Sequence, residues 1–386
     1  MKEQSKYQTT VDGMTKSYIW PLFNRVLHIA LIAFFSISFI LGDMDNLLDY
    51  HAIFGILFAL LFVIRIIWGF IGPKYSKFKD FNFNKNDLKE YLLSPFQHTK
   101  EYIGHNPASS FAIIAMMILS LFTALTGMLA YGIEKNHGIL SFLHSDYFKQ
   151  MELFEELHEI AANMLLGMIA IHVAGSLIDR FIKKGDAIDS MISGYKKLSS
   201  NIEIRMNIFQ KIFTIVSLIL FVYAFYYMIS TKNDNIMIAS AYQKQDYSRI
   251  HPEFANECGS CHMTYPPYLL PRQSWVKMMQ DLENHFGDDA SIDAKTNLSI
   301  LAFLKENSAE NSTHEAAFKI LKSLKENNST IAITKTPYWK GRHKHINNEI
   351  FSSQEVKSKA NCTACHQNIE YGLIENTLIK VPQKKG

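Results

Sequence analysis

Apolar and polar positions divide this chain unevenly. Five stretches, about 20–42, 51–71, 109–133, 153–181 and 207–230, are apolar over the length a helix needs to cross a bilayer. Past Ser230 the pattern changes. Residues 240–386 are polar, with helical periodicity only around 272–286 and 292–307 and an amphipathic Lys/Glu/Asn-rich segment at 314–328. The prediction is an all-α protein: a membrane helical bundle of four spans plus a fifth that tethers a small, mostly α-helical domain. Boundaries are expected near 200 and 250, with the tether over about Thr231–Ile250 and a frayed tail at Lys384 and Lys385.

Of 386 residues almost half are hydrophobic, which suits a membrane part joined to a water-soluble one. A net charge of +3 gives no reason to expect a nucleic-acid partner. Placement of charge says more. The first interhelical turn is acidic, with Asp43, Asp45 and Asp49, and the loop 134–152 is balanced. The loop 72–108 carries Lys74, Lys77, Lys79, Lys85, Lys89 and Lys100, and 180–206 carries Arg180, Lys183, Lys184, Lys196, Lys197 and Arg205. With Lys2, Lys6, Lys16 and Arg25 at the start, the positive-inside rule puts the N-terminus in the cytoplasm and, after five crossings, the C-terminal domain outside. Residues 1–17 lead into the first span without a small-residue cleavage site, so that span is expected to be an uncleaved anchor.

The fourth span, LHEIAANMLLGMIAIHVAGSLIDRF, carries His158 and His172, fourteen residues apart. That is close to four helical turns, so both rings leave one face about 21 Å apart along the axis. Ionisable residues within a span default to a functional reading. Each needs a partner from another helix, and depth pairs His172 with His28 of the first span and His158 with His51 at the start of the second. Zinc and copper usually want three or more ligands, whereas two histidines facing across an interhelical gap suit the axial positions of a haem. Gly55, Gly167 and Gly175 have two readings, room for porphyrin or helix packing through small residues. Arg65 follows His51 by fourteen residues and so shares its face. It either pairs with haem propionates or snorkels to the cytoplasmic surface beside Trp68.

The four cysteines form two copies of one pattern, Cys258-Gly-Ser-Cys261-His262 and Cys362-Thr-Ala-Cys365-His366. Cys-X-X-Cys-His attaches c-type haem: two thiols bond the vinyl groups and the histidine ligates iron. The competing reading is one zinc site built from both cysteine pairs. Distal ligands come from His251, His285, His314, His343, His345 or a methionine. Met263 follows a proximal histidine directly and cannot fold back over the same iron, and His314 is expected to be solvated.

The stretches PLFNRVLHIALIAF, DYHAIFGILFALLFVIRIIWGFIGPKYSKFKDF and LHEIAANMLLGMIAIH resemble the bacterial cytochrome b561 and nickel-hydrogenase b-type cytochrome superfamily over about 18–200. That resemblance implies two haem b held by His28, His51, His158 and His172, and electron exchange between quinones and partner redox proteins. ECGSCHMTYPPYLLPRQSW, DLENHFGDDASID, ITKTPYWKGRHKHI and NCTACH resemble the dihaem cytochrome c family over about 250–380. This second resemblance implies two covalently bound haem c with bis-histidine ligation, pointing to His285 and to the GRHKH segment, where His343 is preferred over His345.

Four haems make a path for single electrons. The expectation is a cytochrome of the bacterial inner membrane linking quinone/quinol, or a membrane redox partner, to periplasmic redox proteins. Membrane lipid surrounds the spans, and a homodimer is one available assembly. The alternatives are a quinol or superoxide oxidase, and a haem-based sensor, which needs an open iron position.

Overall fold

The computed structural model describes residues 14–44, 47–93, 102–231, 235–324, 330–375 and 378–382. Lys2, Lys6, Asp45, Lys100, the end of the 314–328 segment and the tail at Lys384 and Lys385 lie outside them. The chain divides near Ala239 and Ser240 into two compact units.

Five helices of the first unit are long and apolar enough to cross a membrane. They are α1 (Leu22–Leu41), α2 (Leu48–Ile71), α3 (Pro107–Leu129), α4 (Leu153–Phe181) and α5 (Ile208–Ser230). The central one is α2, whose buried Ile53, Leu57, Leu61, Ile64 and Trp68 recur every three to four residues. It packs against α1 and α5, while α4 packs chiefly against α3. Starts are chemically marked. Asn106 caps α3, its side chain accepting from Ser109 N at 2.7 Å, with Pro107 in the first turn. Asn207 and Gln210 form a reciprocal capping box on α5, and Gln210 Nε2 donates to Ile71 O at 2.9 Å, tying α5 to the end of α2.

α3 ends in a π turn over Ala130–Glu134. This turn carries the buried Glu134 carboxylate onto Phe154 N and Glu155 N, at 2.7 and 3.0 Å. Those are orphan donors at the start of α4, where negative charge is favoured. One element departs from the all-helical expectation. Thr15–Tyr18 and Tyr195–Leu198 form a small antiparallel pair (β1 and β2) beside a cluster of Ile19, Trp20, Leu198 and Ile204.

In the second unit the helices are short: α6 (Pro252–Cys258), α7 (Arg272–Met279), α8 (Ala294–Glu306), α9 (Glu315–Ser323) and α10 (Pro337–Arg342). Two apolar clusters hold it. One gathers Phe254, Leu270, Trp275, Met279, Ile300 and Leu304, with Cys258 against it. The other gathers Tyr268, Leu269, Ala317, Ile320 and Ile369, with Cys362 against it. Each cysteine motif therefore borders its own core.

Candidate functional site

Four pairs of histidine rings face one another. In the membrane unit His28 of α1 and His172 of α4 have ring centres 6.5 Å apart, and His51 of α2 and His158 of α4 5.8 Å apart. In the second unit His262 and His285 are separated by 6.1 Å, and His366 and His343 by 6.0 Å. Two imidazoles binding one iron from opposite sides put their centres about 6.2 Å apart, from two bonds of about 2 Å and about 1.1 Å within each ring. Direct ring packing covers the same range, so the nitrogens carry the distinction.

In four of these rings Nδ1 is occupied by a backbone carbonyl. His51 Nδ1 donates to Ser38 O at 2.8 Å, while Ser38 Oγ donates back to His51 O at 3.1 Å. His158 Nδ1 donates to Thr123 O at 2.9 Å, His262 Nδ1 to Met263 O at 2.8 Å, and His343 Nδ1 to Trp339 O at 2.8 Å. A proton fixed on Nδ1 leaves the Nε2 lone pair for a metal and sets the plane of the ring.

Helix packing provides the space. Among the described residues α4 makes no packing with α1 or α2 comparable to its contact with α3, and its buried side chains are Ala161 and Leu165 alone. Its histidines thus look across a gap toward α1 and α2. On the α3 side the fit is tight: a Cβ on Gly127 would lie 2.8 Å from His158 Cε1. Only glycine admits the ring there.

The second unit presents its ligands from short elements. His285 opens a tight turn closed by His285 N to Asp288 O (2.9 Å) and Asp288 N to His285 O (3.2 Å). Phe286 and Gly287 take φ of 57° and 108° inside it, the second open only to glycine. His343 ends α10, a helix started by Thr336 Oγ1 accepting from Trp339 N at 3.2 Å, and its ring stacks on Trp339 at 4.3 Å. Burial, then His343, push the His366 imidazole down to about 4, and burial lowers His285 and His343 as well. All three stay neutral at pH 7, the form that binds metal. Among the described residues no three His, Cys, Asp or Glu are grouped to hold a metal ion.

Two family models cover most of the chain: Prokaryotic cytochrome b561 over residues 19–194 and Dihaem cytochrome c over 254–373. The chain belongs to the first family in its membrane part and to the second beyond it. It is 24% identical over 204 residues to a probable Ni/Fe-hydrogenase B-type cytochrome subunit of Rhizobium leguminosarum bv. viciae, spanning 46% of this chain and 84% of that one. The corresponding Escherichia coli K12 protein, a probable Ni/Fe-hydrogenase 1 B-type cytochrome subunit, is 22% identical over 162 residues, 38% and 68% of the two chains. Diheme cytochrome c from Rhodobacter sphaeroides is 34% identical, covering 34% of this chain and all of that one, with a TM-score of 0.30. A diheme cytochrome type c from Shewanella baltica OS155 is 30% identical over 34% and 91% of the chains, with a TM-score of 0.28.

This cytochrome is a membrane electron-transfer protein with b-type haems in its b561 part and two c-type haems in its dihaem part. Haem bound in the two parts would supply the one-electron chemistry. The remaining sequence candidates fall elsewhere. His345 is exposed. His251 caps α6, its Nδ1 accepting from Phe254 N at 3.1 Å, and Met263 packs on the second core. His314 is not solvated as expected: its ring is stacked between Tyr242 and Tyr268, 4.2 Å from each. Gly167 lies nine residues from His158, about half a turn round α4, with nothing within 4 Å. Gly55 meets Ser38 Oγ at 3.4 Å, and Gly175 has open space. Gly127, Ser38, Thr123 and Trp339 went unread because their roles come from facing another element.

Proposed function

We propose that this protein is a four-haem conduit carrying single electrons between the quinone pool, or a membrane redox partner, and periplasmic acceptors. His28 and His172 hold one haem b, and His51 and His158 the other. Cys258, Cys261 and His262 with His285, and Cys362, Cys365 and His366 with His343, hold the two haem c. Arg65 pairs with a propionate of the haem at His28 and His172. The N-terminus is cytoplasmic, so that this haem lies toward the cytoplasm and the dihaem domain is periplasmic. The observation that carries the reading is the pairing of all four sets of histidines, 5.8–6.5 Å between ring centres, together with the backbone carbonyls that hold Nδ1 of His51, His158, His262 and His343 and leave Nε2 for a metal. A second histidine beside every first one also speaks against a sensor, which needs an open iron position.

The relatives named as hydrogenase B-type cytochrome subunits make a hydrogenase-like complex one candidate for the membrane partner. The chain's own residues set the ligand field, keep water from the membrane haems and tie the dihaem domain to the bundle at high effective concentration. The test uses the whole protein in liposomes. Added quinol reduces b-type and c-type haems together, and His158→Ala keeps its c-type haems but reduces them far more slowly. Unchanged c-type reduction in that variant refutes the relay and leaves the bundle as an anchor. Steady-state oxygen consumption with quinol alone makes the protein an oxidase instead.

A further inference from the structure

Several buried nitrogens of the membrane unit make no hydrogen bond, Arg25 Nε among them, and two others lie near each other. Arg65 Nη1 and His105 Nδ1 are both shielded from solvent without a hydrogen bond. Arg65 leans on the Phe78 ring, 5.5 Å away. His105 sits in the loop before α3, half-buried, its ring 4.9 Å from Trp20 and 4.6 Å from Phe81. The two belong to one neighbourhood. Arg65 packs on Phe78, Phe78 meets Phe81 with ring centres 5.7 Å apart, and Phe81 meets His105, while the charges of Arg65 and His172 both reach His105. Lys196 adds positive charge, though its ammonium is already bonded to Tyr102 O and Gly104 O.

A buried arginine without an anion is costly, and a buried imidazole N–H without an acceptor adds to the cost. Burial first, then Arg65, Lys196 and His172, push His105 down to about 3, so it stays neutral and offers one N–H donor. A permanently charged guanidinium beside a neutral donor suits a carboxylate better than an uncharged carbonyl. We infer that Arg65 and His105 form one carboxylate site, and that it takes a propionate of the haem held at His28 and His172. The inference rests on that ligand assignment and adds His105, held edgewise by Trp20 and Phe81, as a positioning residue.

The full-length protein is produced with haem carrying ¹³C in its propionate carboxyl groups, and redox-difference infrared spectra are recorded. His105→Phe preserves the aromatic packing and removes the donor, whereas His105→Gln retains an N–H. The expected result is four haems in each variant, with one ¹³C-sensitive carboxylate band moved in His105→Phe and largely restored in His105→Gln. Arg65→Gln moves the same band, which keeps the test open should His105→Phe not accumulate. Unmoved bands in an intact His105→Phe protein overturn the inference, as do different bands responding to the two residues. Unmoved bands with altered binding of a quinone-headgroup inhibitor assign the donors to a quinone carbonyl instead. If His28→Ala keeps both b-type haems, the underlying ligand assignment has failed, and the propionate question falls separately.

Discussion

Replacing Gly127 by alanine should remove one haem and spare the other three. The added Cβ would lie 2.8 Å from Cε1 and 2.9 Å from Nδ1 of His158. Carbon atoms ordinarily approach to about 3.5 Å, so the ring must retreat by about 0.7 Å. Metal–ligand distances tolerate only about 0.2 Å, so the retreat exceeds what an iron–nitrogen bond absorbs. It also pulls Nδ1 from Thr123 O, now at 2.9 Å, a hydrogen bond of about 1 kcal/mol. Overpacking typically costs about 1–3 kcal/mol, or roughly 5- to 150-fold in haem affinity. The bundle itself should survive, because alanine gains about 0.5–1 kcal/mol over glycine in a helix interior. Pyridine haemochrome spectra give the b-to-c ratio, which should fall by about half. Gly167→Ala is the control, since its Cβ meets nothing within 4 Å. Full retention of both b-type haems in Gly127→Ala, with unchanged spectra, refutes the reasoning.

Ligand pairing is read from single alanine variants: His28→Ala and His172→Ala should abolish one b-type spectral component, and His51→Ala and His158→Ala the other. A component lost in both His28→Ala and His51→Ala breaks the stacked arrangement. In the dihaem domain His343→Ala should turn one c-type haem high-spin with both still attached, whereas His345→Ala should leave the spectrum low-spin, as magnetic circular dichroism would show. Acidified acetone should extract the b-type haems and leave two covalent ones, and zinc in place of iron in the outer domain on metal analysis would defeat that assignment.

Much of this was legible because a membrane imposes its own length scale. The spans expected at 20–42, 51–71 and 153–181 appear as Leu22–Leu41, Leu48–Ile71 and Leu153–Phe181. Helical phase and depth likewise matched His28 with His172 and His51 with His158, whose ring centres lie 6.5 and 5.8 Å apart. What stayed hidden depends on a second element. The π turn at Ala130–Glu134 has no signature of its own, and its logic appears only when Glu134 reaches the start of α4. His314 reads as a lone polar residue until Tyr242 and Tyr268, distant in sequence, enclose it. His105 is silent for the same reason, its walls being supplied by Trp20 and Phe81.

The two halves also show why thioether bonds serve one and not the other. The membrane histidines ride on helices of 20 to 29 residues, and Nδ1 of His51 and of His158 is held by a carbonyl of an adjacent helix. Such ligands are placed before any haem arrives, so two axial bonds and an apolar slot suffice. The dihaem domain presents its histidines from shorter elements. His285 opens the turn through Phe286 and Gly287, and His343 follows a six-residue helix. Small domains supplement a limited core with covalent or metal bonds, and the pairs Cys258–Cys261 and Cys362–Cys365 offer them beside each apolar cluster. The asymmetry has a consequence that mutation reads directly. On the proposed ligand assignment, loss of an axial histidine in the bundle should release the haem, whereas loss of His285 or His343 in the dihaem domain should change only the spin state.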